Sequence, residues 1–231
     1  GSNISNNGSI YKLIVQKKSK AKTIHDLKGK RVATKIGSGP FTAFSNYVMA
    51  NGLKVKDFEI LNARPSEIIA AMETGSVEGG VWFQPLTSIM LHKGFGRVLA
   101  NFDGHARGQG HWMVNRKYAA KNPDVVVRFL AGAIDAQELL TNNPQVAVQL
   151  LSRGFAKRGR KLPPEVFAIG INEFDYDPIM KTRHISEFRK AFLFNKARGR
   201  YKGPEPNWSD VIRDDFLKKA LALSHKRNRR F

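Results

Sequence analysis

The chain has 231 residues, 39 Lys and Arg against 19 Asp and Glu, and no cysteine. That length admits one large domain or two small ones, and the lack of Cys excludes disulfides, thiol nucleophiles and cysteine-ligated zinc or iron–sulfur centres. The net charge of +20 invites anionic partners, yet the basic residues are spread along the chain without a homeodomain, zinc-finger or RNP-type pattern, so no specific nucleic acid is expected.

No apolar run approaches the ~18 residues of a spanning helix, which argues against a transmembrane segment. The opening residues do not read as a signal peptide. Gly1-Ser2 reads as the scar of proteolytic processing, which leaves room for an export signal before it.

Residues 3–9 are Asn/Ser/Gly-rich and read as mobile. Residues 10–16, Ile-Tyr-Lys-Leu-Ile-Val-Gln, predict a strand, followed by a basic loop over 17–22. Thr23 caps a helical turn that Gly29 stops. From Arg31 the chain alternates: strands over 31–34, 58–61, 80–83 and 97–100, and helices opened by Pro40, Pro65 and Pro85. In the first of these helices Phe41, Phe44, Tyr47 and Val48 fall on one face. This alternation predicts right-handed crossovers and a mainly parallel sheet.

Residues 101–110 are Gly-rich and polar and read as a crossing segment. A strand is expected over 111–115, a long helix over 124–140, a helix from Pro144 to Leu151, a basic loop over 153–161 and a helix from Pro163-Pro164. Two amphipathic helices follow over 185–194 and 208–223. The chain is α/β before about residue 100 and mostly helical after about residue 120, so we expect three parts. Residues 1–16 form a tail and first crossing strand, 17–102 an α/β lobe, and 103–231 a crossing segment with helices of a partial second lobe.

Carboxyl ends of parallel strands are where open α/β sheets bind small molecules. Gly37-Ser38-Gly39 precedes a helix whose free N–H groups and positive dipole end suit an anion. Ser38 and Thr42 could add hydroxyl donors and Lys35 a charge; equally, the two glycines serve a strand-to-helix turn. Asn62 and Arg64 close the next strand–helix junction, with Arg64 either a cationic partner or a solvated surface residue. At the end of the third strand one of Trp82 and Phe83 is expected in the core and the other at the cleft, with Gln84 able to meet a ligand head group. Gln109 and His111 flank the crossing segment and could reach a ligand on closure, or His111 could be structural. The histidines lack metalloprotease spacing, and neither a nucleophile elbow nor a P-loop is present, so no catalytic residue, metal or cofactor is expected.

The runs Asp26-Leu-Lys-Gly-Lys-Arg-Val-Ala33, Gly37-Ser38-Gly39, Ala71-Met-Glu-Thr-Gly-Ser-Val-Glu78 and Trp82-Phe-Gln-Pro85 resemble the nitrate/sulfonate/taurine-binding family. So do Tyr118-Ala-Ala-Lys-Asn-Pro123, Asn142-Asn-Pro144 and Asp214-Asp-Phe-Leu217. These are solute receptors of ABC importers, a group that includes receptors for a thiamine pyrimidine precursor, and the likeness runs from about residue 10 to 222. The resemblance implies a class II periplasmic-binding-protein-like fold: a parallel or mixed sheet lobe with helices on both faces, plus a partial second lobe rich in helices. It implies an extracytoplasmic, non-enzymatic protein that binds a small anionic or polar solute and hands it to permease subunits, with peripheral membrane association open to it.

Two departures stand out. Members begin with roughly 90 further residues, a half-lobe on domain-size grounds. They also often carry Asp-Ala and an acidic residue where this chain has Glu78-Gly79 and Gln84, and a neutral Gln84 fits an anionic or neutral ligand better than a cation. The thiamine-pyrimidine synthase that shares the fold uses a Cys-rich motif, which a chain without Cys cannot supply. An alternative is an enzyme on the same fold, such as a menaquinone-pathway dehydratase or lyase working through cleft carboxylates.

Overall fold

The computed structural model describes residues 8–106, 110–180, 182–197, 199 and 201–228. The chain divides into two compact units, a sheet unit of residues 5–108 and 143–175 and a helical unit of residues 1–4, 109–142 and 176–231. Residues 143–175, which sequence groups with the 103–231 part, belong by their contacts to the sheet unit, as does the first strand.

In the sheet unit β1 (Lys12–Gln16), β2 (Arg31–Thr34), β3 (Glu59–Asn62), β4 (Gly79–Trp82) and β5 (Gly96–Asn101) lie in the order β3-β2-β4-β1-β5. β2 runs parallel to both β3 and β4, as the alternation predicts. β1 is antiparallel to β4 and to β5, so the sheet is mixed. The reason lies in the connection after β1. It holds only a 3₁₀ turn, Ile24–Leu27, and no helix long enough to return the chain to the far edge for parallel pairing. Thr23 opens that turn, and the Asp26 carboxylate accepts from the Thr23 and Lys22 amides, both at 2.8 Å.

Both faces of the sheet are covered. Leu13 and Val15 of β1 point with Val32 and Val81 into a core with Leu27, Phe44, Val48, Phe58 and Phe102. Ile14 and Ala33 point the other way, against Ile68, Met72 and Met90. This period of two, with apolar residues on both sides, explains why the strands read as continuous aliphatic runs. α1 (Gly39–Ala50), α2 (Pro65–Glu73) and α3 (Leu86–His92) cross between strands, each beginning at or next to a proline. Phe44 is fully buried, edge-on to Phe58 and Phe102. A side chain of this kind contributes about 1.5–3 kcal/mol by burial.

α6 (Pro144–Ala156) runs five residues past its expected end, because Arg153 and its neighbours continue the helix rather than opening a loop. Phe155 then meets Phe167 of α7 (Pro164–Ala168) at 5.1 Å between ring centroids, and α7 packs on α3.

The helical unit contains α4 (Arg116–Lys121), α5 (Pro123–Asn142), α8 (Thr182–Ala197), α9 (Trp208–Val211) and α10 (Asp215–Asn228). Its core joins Val126, Leu130, Ala131 and Ile134 of α5 to Phe216, Leu217 and Ala220 of α10. Two expectations are corrected here. Residues 111–115 form no strand; they approach α4, where the Asn115 side chain caps the helix by accepting from the Tyr118 amide at 3.2 Å. Alternation alone cannot make a strand without a ladder partner, and the described residues of this unit contain none. The helix expected over 208–223 is broken at residues 212–214, where Arg213 forms a two-point ion pair with Asp215 in the first turn of α10.

Candidate functional site

Because β2, β3 and β4 are parallel, their carboxyl ends share one edge, and the loops 35–42, 62–66 and 82–85 emerge side by side. The register is direct: Thr34 pairs with Asn62, and Ala33 with Gly80. The antiparallel β1 brings its amino end to the same edge, with Lys12 opposite Trp82.

At the first loop Gly37 has φ +83°, a conformation that side-chain-bearing residues rarely adopt. Ser38 caps α1, its Oγ accepting from the Phe41 amide at 3.3 Å. The Thr42 amide and hydroxyl both donate to the Ser38 carbonyl, at 3.0 and 3.1 Å, so the Thr42 hydroxyl serves the turn. Lys35, Gly37 and Gly39 are exposed. Tyr11 stands against Gly39: a Cβ there would lie 2.8 Å from the phenol oxygen. Burial pushes the Tyr11 hydroxyl above its ordinary pKa, so it remains a proton donor across the neutral range.

The second loop is stitched to the first. Asn62 Oδ1 accepts from the Ile36 amide at 3.1 Å, which fixes the entry to the glycine turn. Arg64 caps α2; its amide donates to Glu67 Oε2 at 2.6 Å and its Nε to Oε1 at 3.0 Å. The Arg64 amide, ahead of the guanidinium charge, holds the Glu67 carboxyl below the usual carboxylate range. Both side chains are exposed, so this pair steers Arg64 more than it stabilises the fold.

At the third loop neither aromatic sits wholly in the core. Trp82 and Phe83 are both half-buried and stacked, with centroids 5.4 Å apart. Trp82 packs on the Ile68–Met72 side of the sheet and Phe83 on the Leu13 side, edge-on to Tyr11 at 5.9 Å. Gln84 is buried. Its Oε1 accepts from the amide of Ser88 at 3.1 Å and from the Ser88 hydroxyl, and its Nε2 donates to Glu173 Oε2 at 3.0 Å. Gly170 presses on it so closely that a Cβ would fall 2.3 Å from Gln84 Cδ. Gln84 is therefore committed to the protein interior, which differs from the head-group contact expected for it. The other oxygen of Glu173 pairs with Lys12 Nζ at 2.8 Å, and Lys12 also donates to the Ser9 carbonyl at 3.2 Å.

All the sequence-predicted positions except His111 thus belong to the sheet unit. His111 lies in the helical unit, half-buried, with its ring 4.4 Å from that of Phe188. Gln109 falls outside the described residues. Sequence reasoning missed Tyr11, Lys12 and Glu173. A lone lysine opening an apolar strand was the available signal for Lys12; nothing in the spacing marks Glu173. A shallow depression elsewhere in the unit, lined by Tyr47, Val98, Asn101, Asp103 and His105, includes none of these groups. Among the described residues no three His, Asp or Glu side chains gather as metal ligands would.

A mixed sheet clad by helices on both faces, with polar loops collected over its strand ends, is a periplasmic-binding-protein-like lobe. The chain belongs to the NMT1/THI5-like family, which matches residues 5–147. It is 33% identical over 144 residues to the taurine-binding periplasmic protein of Escherichia coli (strain K12), covering 58% of this chain and 42% of that one. A Bacillus subtilis (strain 168) protein, provisionally named for aliphatic-sulfonate binding, is 30% identical over 215 residues, covering 90% of this chain and 62% of its own length. The chain therefore spans less than two thirds of either relative. The alkanesulfonate-binding protein SsuA from Xanthomonas axonopodis pv. citri, solved bound to MOPS, superposes with a TM-score of 0.69 at 23% identity. That match covers 87% of this chain and 69% of SsuA, and it establishes a shared fold.

Proposed function

We propose that this chain is the extracytoplasmic solute-binding receptor, or part of one, of an ABC importer, and that it binds a small organic anion of the alkanesulfonate kind. The observation that carries the reading is the juxtaposition of three loops at the carboxyl ends of β2, β3 and β4. There the Tyr11 hydroxyl stands against Gly39 of the exposed glycine turn before α1, and the exposed Lys35 opens the same loop. Pro40 has no N–H and the Phe41 amide is held by Ser38, so the Gly37 and Gly39 amides are the backbone donors offered to an anion at the positive end of α1, and one lysine adds charge without fixing geometry. Asn62 sets the turn, Ser38 holds the helix start, and Arg64, steered by Glu67, stands at the rim as a second cation. Lys12 and Glu173 position the Gln84 loop from beneath.

On this reading the solute leaves unchanged, and its binding biases a hinge toward a closed form that permease subunits recognise. Among the described residues no helix is long and apolar enough to cross a membrane.

Thermal unfolding with taurine, methanesulfonate and nitrate tests the proposal. A ligand at about 100 times its Kd adds about 2.7 kcal/mol. For a chain of this size that raises Tm by roughly 5–10 °C. Recovery of the sulfonate unchanged after long incubation is the companion result. Conversion to a new product would replace the receptor with an enzyme.

A further inference from the structure

We propose that the opposite end of the same sheet is a docking face for an anionic lipid surface. Four connections meet there: residues 17–30 between β1 and β2, residues 51–58 between α1 and β3, residues 74–78 between α2 and β4, and residues 93–95 between α3 and β5. They are bound into one platform. The Gly29 amide donates to the Asp57 carbonyl at 2.7 Å, the Glu59 amide to the Lys30 carbonyl at 3.0 Å, and the Lys17 amide to the Phe95 carbonyl at 2.9 Å. Arg97 Nη2 ties the first loop down, donating to the carbonyls of Ser19, at 3.1 Å, and Ala21.

Six lysines project from the first loop between Lys17 and Lys30, and Lys54 and Lys56 from its neighbour; all are exposed. None of them forms an ion pair among the described residues. The acids of these loops are engaged by backbone amides rather than by the lysine ammonium groups: Asp26 accepts from the Lys22 and Thr23 amides, and Asp57 from the Lys54 amide at 2.8 Å. Nearby Glu59 and Glu73 are already paired, with Arg31 at 2.6 Å and Lys93 at 2.8 Å, and Glu78, half-buried before β4, is the remaining acid of this end. The result is an array of eight exposed ammonium groups on a tied-down backbone, outnumbering the acids beside them and spread over three strand spacings, about 15 Å.

The composition of the array selects its partner. All eight cations are lysines, compact point charges without the planar fork that reads phosphates in pairs, and no exposed aromatic stands among them to stack on a base. Nucleic-acid recognition draws on both features. A lipid surface asks only for several charges held within a Debye length of it. Docking by this end leaves the strand carboxyl ends of the unit turned away from the lipid. The inference does not depend on which solute is bound, so its failure and that of the receptor reading are separable.

The test is co-sedimentation of the full chain with vesicles of phosphatidylcholine, with and without about 30% phosphatidylglycerol, alongside a DNA duplex titration. Two fourfold variants are compared, both checked for fold by circular dichroism. One is Lys17→Gln/Lys20→Gln/Lys28→Gln/Lys54→Gln; the other, Lys117→Gln/Lys121→Gln/Lys157→Gln/Lys161→Gln, removes the same charge elsewhere. The wild type is expected to partition onto phosphatidylglycerol vesicles only, and to come off as salt rises from about 0.05 to about 0.3 M. The first variant should lose at least ~10-fold in partition while the second stays within ~2-fold. Equal losses in both variants, no preference for the anionic vesicles, or tighter DNA binding lost in the first variant would overturn the proposal.

Discussion

The two loops that flank the centre of the site edge differ in what their polar atoms already hold. At residues 82–85 the Gln84 carboxamide is enclosed by Ser88, Glu173 and Gly170, and behind Glu173 stands Lys12. At residues 35–42 the hydroxyls complete the turn, but the glycine backbone and the Lys35 ammonium stay at the surface. One loop is a buried strut and the other an open cradle, although both sit at the end of a parallel strand. Position at a strand's carboxyl end makes contact with a ligand available; the neighbours decide whether a given side chain is free to take it.

The sharpest way to break this contrast is through the strut. Glu173→Ala leaves Lys12 and Gln84 without their shared acceptor. Both charged side chains keep some solvent contact, 13% for Lys12 and 21% for Glu173, so the cost falls short of that of a fully buried pair. We expect a loss of about 2–3 kcal/mol, read as a fall in Tm. Lys35→Ala should do the reverse. Its Tm should stay within about 0.5 kcal/mol of the wild type, while sulfonate affinity, measured by calorimetry, falls about 10-fold with the loss of one charge-assisted contact. A smaller effect is expected of Ser38→Ala, which removes the cap of α1 and costs about 1 kcal/mol; equilibrium denaturation resolves it.

The smallest effect concerns pH. The folded Glu67 carboxyl titrates below its ordinary value, so its stabilising contribution is complete above the unfolded carboxylate pKa. It is lost as pH falls through the folded one. Glu67→Gln should therefore show a shallower acid limb in a pH series of Tm, and an unchanged limb would remove Glu67 from the account.

Much of the sheet unit was legible because its signals are local. Pro40, Pro65 and Pro144 mark helix starts, Thr23 a capped turn, and the aliphatic runs 12–16 and 31–34 strands buried on both faces. What escaped depends on long-range partners. Strand direction follows from the connection, so β1 was readable as a strand but not as antiparallel. That is also why Tyr11 and Lys12 were not expected at the site edge. Gln84 and Glu173 lie 89 residues apart, and no periodicity predicts that they meet. In the helical unit, residues 111–115 have the composition of a strand without a ladder to join, and the Arg213–Asp215 pair interrupts a pattern that is amphipathic throughout.

Backbone amide NMR during a methanesulfonate titration tests the site assignment most directly. The account predicts that the amide signals of Gly37, Ser38 and Gly39 move saturably with the anion, while those of residues 17–30 at the far end of the sheet stay still. Movement confined to the lysine-rich end, or to the helical unit, with the glycine turn silent, would contradict it.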